Sequence, residues 1–419
     1  MNSSTITVLG TLLCAFLVIF MQAGFAMMET GFTRAKNAGQ TMAMNMMVFV
    51  IAVLGYWSIG YGVQTGGKGF FLSGAASDAS MIVLFLSSTV YLNIAATIPT
   101  GAMAERWTFK SFVVYGFFIS LFVYPLFAKW VWGGGWLSQL GKGFGLGHGV
   151  VDFAGSSVVH LVGGATGLAG AIVLGPRMGK YRPNGTPTAI PGHHIPMAIV
   201  GCLVLFFGWF GFTLGPALAD GGLRLGMVAL NTLLAGVAAA FSAMCYVWFR
   251  YGKADLSLIA NGLLGGLVAI SASCAFVSPF AAIVIGLIAG VLCCVSVFFV
   301  ERKLKVDDPV GAVSVHGACG AWGMIALGLL SNGTYGDGYN GIAGGVKGLF
   351  YGDGSQLTAQ LIGVVVGVVF VFVVMYAFFK ALDRVIPMRV PEEVEFEGLD
   401  QSEVAVTAYP DFSITKTRR

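Results

Sequence analysis

Charge is what this sequence has least of. Only 10% of its 419 residues are Asp, Glu, Lys or Arg, where a soluble domain carries about 25%. A water-soluble globule is therefore excluded. The seven cysteines all fall in apolar stretches with no C-x-x-C among them, so neither a disulfide frame nor a thiolate metal site is indicated. They read as small buried hydrophobes. No basic cluster exceeds a few residues, so the net charge of +4 gives no sign of a nucleic-acid partner. Walker A, G-x-S-x-G and H-E-x-x-H patterns are missing, and G-x-G-x-x-G-like fragments such as Gly143 to Gly149 lie in a loop with no strand beside them. Nothing points to an enzyme, a cofactor or a metal. The N-terminus lacks the basic flank of a signal peptide, and its apolar run from Ile6 to about Met28 is too long for a signal core. It reads as a mature helix with its N-terminus outside.

What the chain does have is apolar runs. Hydrophobic residues make up 57% of it, arranged in continuous segments of roughly 20 residues, enough to cross a hydrocarbon core. Continuous rather than alternating runs indicate helices and exclude a barrel. Eleven spans are expected, near 5–29, 38–63, 79–104, 109–130, 152–175, 194–216, 226–250, 256–276, 279–301, 309–331 and 356–385. With the N-terminus outside, the inner loops carry twelve basic residues (Arg34, Lys36, Arg106, Lys110, Arg177, Lys180, Arg182, Arg250, Lys253, Arg302, Lys303 and Lys305). The outer loops carry five: Lys68, Lys129, Lys142, Arg224 and Lys347. The positive-inside rule selects this orientation, which makes the polar tail cytoplasmic and the protein a multi-pass protein of the cell membrane.

One stretch is written twice. Asp152 to Gly167 reads DFAGSSVVHLVGGATG, and 156 positions later Asp308 to Gly323 reads DPVGAVSVHGACGAWG. Both fit D-x2-G-x3-V-H-x3-G-x2-G, aligning Gly155 with Gly311, His160 with His316 and Gly164 with Gly320. The copies open the fifth and tenth spans. Five is odd, so they cross in opposite directions, the signature of two inverted five-helix halves. The expected organisation is a transmembrane unit over 1–385, with halves of about 1–176 and 177–331 and an extra helix at about 356–385 strapping the bundle, followed by a tail over 386–419. Eight residues from aspartate to histidine correspond to roughly 12 Å of helix rise, so both histidines are expected near the midplane where the halves meet.

Each candidate residue carries two readings. His160 and His316 could share a hydrogen bond and pass a proton along a dry channel, since imidazole holds a proton on either nitrogen; or they form a polar pair gluing the halves. Asp152 could set a negative potential at the outer mouth, cap its helix, or both; Asp308 reads as a cap at the inner end. The WVWGGGW run, Trp130 to Trp136, could hold a small cation over its rings or belong to the interfacial aromatic belt. His148, His193 and His194 read as solvated loop residues.

The chain resembles the ammonium transporter family, which includes the methylammonium permeases and Rhesus proteins; it looks like a prokaryotic-type member. The resemblance rests on MQAGFAMMETGFTRAKNA (Met21 to Ala38), TGAMAERW (Thr100 to Trp107), WGGGWL (Trp132 to Leu137) and DFAGSSVVH (Asp152 to His160). It continues through GWFGF (Gly208 to Phe212), DDPVGAVSVHGACGAWG (Asp307 to Gly323) and RVPEEVEFEGLD (Arg389 to Asp400). It implies eleven helices in inverted halves, a pore in each subunit and a homotrimer. By resemblance, His160 and His316 are the paired pore histidines, Asp152 and Trp132 belong to an outer cation site, and Phe212 is one of two stacked gates. Tyr91 stands where the other phenylalanine gate is expected, Pro216 where a serine usually meets ammonium, and Ser87 and Ser88 replace a phenylalanine and a glutamine. The tail keeps EGLD but lacks the His-Gly-Glu usually found after it, which counts against docking of a PII-type regulatory protein, the candidate partner at the cytoplasmic face. The expected activity is recruitment of NH4+, its deprotonation and passage of NH3 with the proton relayed by the histidines. A sensor with little flux, an electroneutral ammonia channel and a haem-binding oxidoreductase are the alternatives; two histidines are too few for a zinc site.

Overall fold

The computed structural model describes residues 3–74, 78–219 and 224–412. Among them there are helices and isolated bridges but no strands. Ten helices are long and apolar enough to cross a bilayer: α1 Thr5–Phe32, α2 Ala35–Gln64, α3 Ser80–Met103, α4 Phe109–Val131, α5 Ser156–Leu174, α6 Ile195–Leu218, α7 Leu225–Tyr251, α9 Pro279–Leu304, α10 Val313–Leu330 and α11 Gly354–Val385. The eighth, α8, is the apolar helix Leu256–Ser271. At 16 residues it rises about 24 Å, less than the expected 256–276. Buried turns complete its passage. Backbone in a membrane must find partners within the protein, and these do: Phe153 and Ala154 donate to the carbonyls of Ala272 and Ser271 at 3.2 and 2.9 Å, and Asn231 Nδ2 donates to Cys274 and Val277.

Two helix pairs join the halves. α1 lies along α6, close enough that a Cβ on Gly24 would sit 2.9 Å from the Gly201 carbonyl oxygen. α5 crosses α10, their directions opposed: Arg177, just past the end of α5, pairs with Asp307, just before α10. At the crossing, a Cβ on Gly164 would lie 2.3 Å from the Gly317 nitrogen, and one on Gly320 would lie 2.5 Å from the Ser156 carbonyl oxygen. The two glycines are partners under the 156-residue offset. Each lets the backbone around the opposite histidine come within contact.

The sequence expectation placed the starts of the fifth and tenth spans at 152 and 309, and the structure corrects both by four residues. Asp152 and Asp308 do not begin helices; each sits in a loop and caps the turn that follows. Asp152 Oδ1 accepts the N–H groups of Gly155 and Ser156, both at 2.9 Å, and Oδ2 those of Ser157 and Val158 plus the Ser157 hydroxyl. Asp308 accepts Gly311, Ala312 and Val313. The loop residues Gly155 and Gly311 have φ of +110° and +80°, a left-handed conformation that suits glycine. Then comes a π-helical turn in each copy, Ser156–Leu161 and Val313–Ala318, carrying the histidine. The regular 12 Å rise expected from aspartate to histidine is thus replaced by a cap and a wider turn.

α11 straps the Asp152 loop. Gln356 bonds His148 N–H and the Gly149 carbonyl, and Gln360 bonds the N–H and carbonyl of Val151. After α11 the chain turns back over the loops at its end, so the tail covers one end of the bundle (the tail face) and the Trp132 loop the other (the Trp132 face).

Candidate functional site

A cavity of about 760 Å³ opens at the Trp132 face, with Tyr91, Trp132, Tyr61, Ser87, Ser88 and Pro216 on its walls. Trp132 follows the last residue of α4, and its indole N–H donates to the Asp152 carbonyl oxygen at 2.6 Å. Asp152 is fully buried, and its carboxylate is taken up by the cap rather than presented to the cavity. Its backbone carbonyl holds Trp132, which lines the cavity.

From this cavity a column of rings runs inward. Tyr91 meets Trp132 edge-on at 5.6 Å and Phe212 at 4.8 Å. Phe212 meets His160 at 5.4 Å, and His160 lies nearly parallel to His316 at 5.2 Å. Phe25 follows at 6.2 Å. Tyr91, 8% exposed, floors the vestibule, and Phe212, 0% exposed, lies against it on the inner side.

Tyr91 and Pro216 are coupled. Inside a helix the Phe212 carbonyl would accept the N–H four residues on, but that residue is Pro216, which has none. The Tyr91 hydroxyl fills the place, donating to the Phe212 carbonyl at 2.8 Å. The two departures from the family pattern are one arrangement.

His160 and His316, 0% and 2% exposed, face each other Nδ1 to Nδ1 at 3.1 Å. One Nδ1 must carry the hydrogen and the other accept it. His160 is stacked on Trp209 at 5.1 Å, and Trp209 is pinned by its N–H to the Ser271 hydroxyl. His160 Nε2 has no hydrogen-bond partner among the described residues. The pair sits where α5 and α10 meet, with the two Nδ1 atoms in the shared bond.

The tail face holds a buried ion cluster. Arg177 donates to both oxygens of Asp307 at 2.8 and 3.0 Å and to Glu105 at 2.7 Å. Arg34 pairs with the other Glu105 oxygen. Burial alone would raise the Asp307 carboxyl, but Arg106 and Arg177 outweigh it and hold it well below the usual carboxylate range.

The six residues expected to form the outer site and the histidine pair therefore lie along one line: Trp132, Tyr91, Phe212, His160 and His316 as rings in contact, Asp152 behind Trp132. Trp209, Phe25 and Glu29 also belong to this region; no motif in the sequence marks the two rings, although an acid in an apolar helix is a visible signal. Of the loop histidines expected to be solvated, His148 and His193 are corrected and His194 is as expected. His148 is 5% exposed, its Nε2 2.8 Å from the Gly344 carbonyl oxygen, because the α11 strap covers its loop. His193 is half-buried between the Thr33 carbonyl and the Tyr409 hydroxyl; His194 is exposed.

A helical membrane bundle with inverted halves and an aromatic path through it defines a class of polytopic transport-type proteins. The chain belongs to the Ammonium Transporter Family, whose sequence pattern it matches over residues 9–409. It is 44% identical over 416 residues to ammonium transporter Amt2 of Archaeoglobus fulgidus, covering 97% of this chain and 88% of the relative. It is 36% identical over 438 residues to ammonium transporter 1 member 3 of Solanum lycopersicum, covering 97% and 94%. Among solved structures, a sensor Amt protein matches with TM-score 0.87 and 34% identity over 96% of this chain and 98% of that one. Mep2 of Candida albicans matches with TM-score 0.80 and 26% identity over 92% and 86%.

Proposed function

We propose that this chain transports ammonium, moving it as ammonia and a proton through one pore. NH4+ gathers in the vestibule between Trp132 and Tyr91, whose ring faces attract a small cation, with Asp152 fixing Trp132. A bare cation enters a dry passage only at large desolvation cost. Ammonium is an acid comparable to a lysine side chain, so it can leave its proton behind. Ammonia then passes Phe212 and the histidines. His160 takes a proton on Nε2 and yields the one on Nδ1 to His316, whose own Nε2 releases it toward the tail face, making the net movement electrogenic. Potassium has no proton to shed and is rejected by chemistry rather than size.

The observation that carries this reading is the Nδ1-to-Nδ1 contact of 3.1 Å within an unbroken column of rings. The test is current on a solid-supported membrane from liposomes holding the purified protein. His160→Ala or His316→Ala should abolish the ammonium-evoked current, with potassium silent in all samples. Undiminished current in either variant would overturn the relay, and absence of current in the wild type would leave an electroneutral ammonia channel, if ammonia still crosses, or a sensor, if it does not.

The loop charge bias supports an N-terminus outside and a cytoplasmic tail. The halves at about 1–176 and 177–331, the added helix at about 356–385 and the tail at 386–419 are the units we assign; residues 413–419 lie outside the described residues. The family resemblance supports a homotrimer. A PII-type regulator remains the candidate partner at the tail face, with the missing His-Gly-Glu against it.

A further inference from the structure

Glu29 is a carboxylate in the last turns of α1, 1% exposed, and the histidine relay leaves it unused. Its surroundings set it apart from the two capping aspartates. Asp152 and Asp308 receive hydrogen bonds from backbone N–H groups and, for Asp152, one hydroxyl. Such a shell suits the ionised form alone, because a protonated oxygen would face amide hydrogens.

Around Glu29 both forms are satisfied. Asn45 Nδ2 donates to Oε2 at 2.7 Å, and the Thr100 hydroxyl lies 2.8 and 3.0 Å from the two carboxylate oxygens. That hydroxyl also lies 2.6 Å from the Thr97 carbonyl oxygen. With Glu29 ionised, the hydroxyl donates to it. With Glu29 protonated, the hydroxyl turns to Thr97 and accepts from the carboxyl. No side chain need move between the states, which is the requirement for a proton carrier.

Position supplies the second observation. Glu29 and His316 line the same cavity of about 10 Å³, together with Phe25, Val315 and Asn261, room for roughly one water. Asn261 Oδ1, on that wall, has no hydrogen-bond partner among the described residues and can hold a water there. Gly101 keeps the site open: a Cβ there would lie 2.9 Å from Glu29 Oε1.

We propose that Glu29 receives the proton leaving His316 and passes it toward the tail face, a step that rests on the histidine relay above. A water in the cavity takes the proton from His316 Nε2 as it gives one of its own to a Glu29 oxygen; His316 is left with a bare Nε2 and Glu29 neutral, and the water is unchanged. The charged and titratable neighbours are His316 in the cavity, Asp308 on the loop before α10 and Tyr115 of α4. α2, α3 and α8 present the neutral Asn45, Thr100 and Asn261.

Glu29→Gln retains an oxygen acceptor for Asn45 and Thr100 but cannot carry a proton. In the same liposome assay its ammonium-evoked current should fall at least tenfold, with the melting temperature in detergent unchanged. Glu29→Asp should recover part of the current. Wild-type current in Glu29→Gln, beside loss in His160→Ala, would overturn the role of Glu29 and leave the histidine relay standing; wild-type current in both would overturn the relay itself. Loss of current in both Glu29 variants with a lowered melting temperature would mark Glu29 as a structural knot and also overturn the proposal.

Discussion

Tyr91 shows how a single side chain answers for another residue's chemistry. Proline at 216 frees the Phe212 carbonyl, and a buried acceptor left unpaired costs about 1–3 kcal/mol. The Tyr91 hydroxyl removes that penalty and ties the outer ring of the column to α6. Tyr91→Phe should therefore lower stability by about 1–3 kcal/mol, seen as a lower melting temperature in detergent. Pro216→Ala returns the missing N–H, so in that background the same Tyr91→Phe change should lower it less, by about 1 kcal/mol of coupling. Equal drops in both backgrounds would show that the two positions act separately. The family pattern made each substitution visible in the sequence. That they were one device was not visible, because it depends on two helices being side by side.

At the scale of the element, the crossing of α5 and α10 is set by glycines rather than by the histidines it brings together. Gly164→Ala would drive a Cβ to 2.3 Å from the Gly317 nitrogen, and backbone cannot yield as a flexible side chain does. Overpacking of this kind costs roughly 1–3 kcal/mol. The helices should part, lengthening the His160 to His316 contact, so a lower melting temperature should come with a larger loss of ammonium-evoked current. Gly320→Ala acts on the same crossing, and the double variant should lose less than the two single losses added. Full current in a Gly164→Ala protein would show that the pair tolerates separation. This crossing was legible in the sequence because the motif survives in both copies with its glycines, and the odd helix spacing gave its direction. The helix starts were misplaced because an apolar run does not reveal a cap: Phe153, Ala154 and Gly155 read as span, yet their backbone is turned aside to place the Asp152 carboxylate under four N–H groups. Likewise α8 ends early since its last apolar residues form buried turns, and hydropathy cannot tell a turn with satisfied backbone from a helix.

Across the whole molecule, one chain of contacts ties the tail to the start of α10. Leu399 N–H donates to Asn37, Asn37 to Glu105, Arg177 bridges Glu105 and Asp307, and Asp307 directly precedes the capping Asp308. Arg389 adds a second link, pairing with Glu395 and donating to the Leu174 carbonyl at the end of α5. Asp307 is the member whose charge state sets the pH response. Its carboxyl is held low by Arg106 and Arg177 against the pull of burial, so its folded-state value lies beneath the unfolded value of about 3.9. A depressed acid contributes stability that is complete above the unfolded value and lost as pH falls below about 4 toward the folded one. Asp307→Asn removes this contribution and leaves Arg177 less compensated; breaking a buried pair costs about 3–5 kcal/mol. The variant should melt well below the wild type at pH 7. The gap should hold down to about pH 4 and narrow below it, as the wild type loses what the variant never had. Because the cluster joins the end of α5 to the start of α10, current should fall with stability. A variant that melts with the wild type at pH 7 would place the grip between the halves elsewhere, in the glycine crossing and the α1–α6 pair.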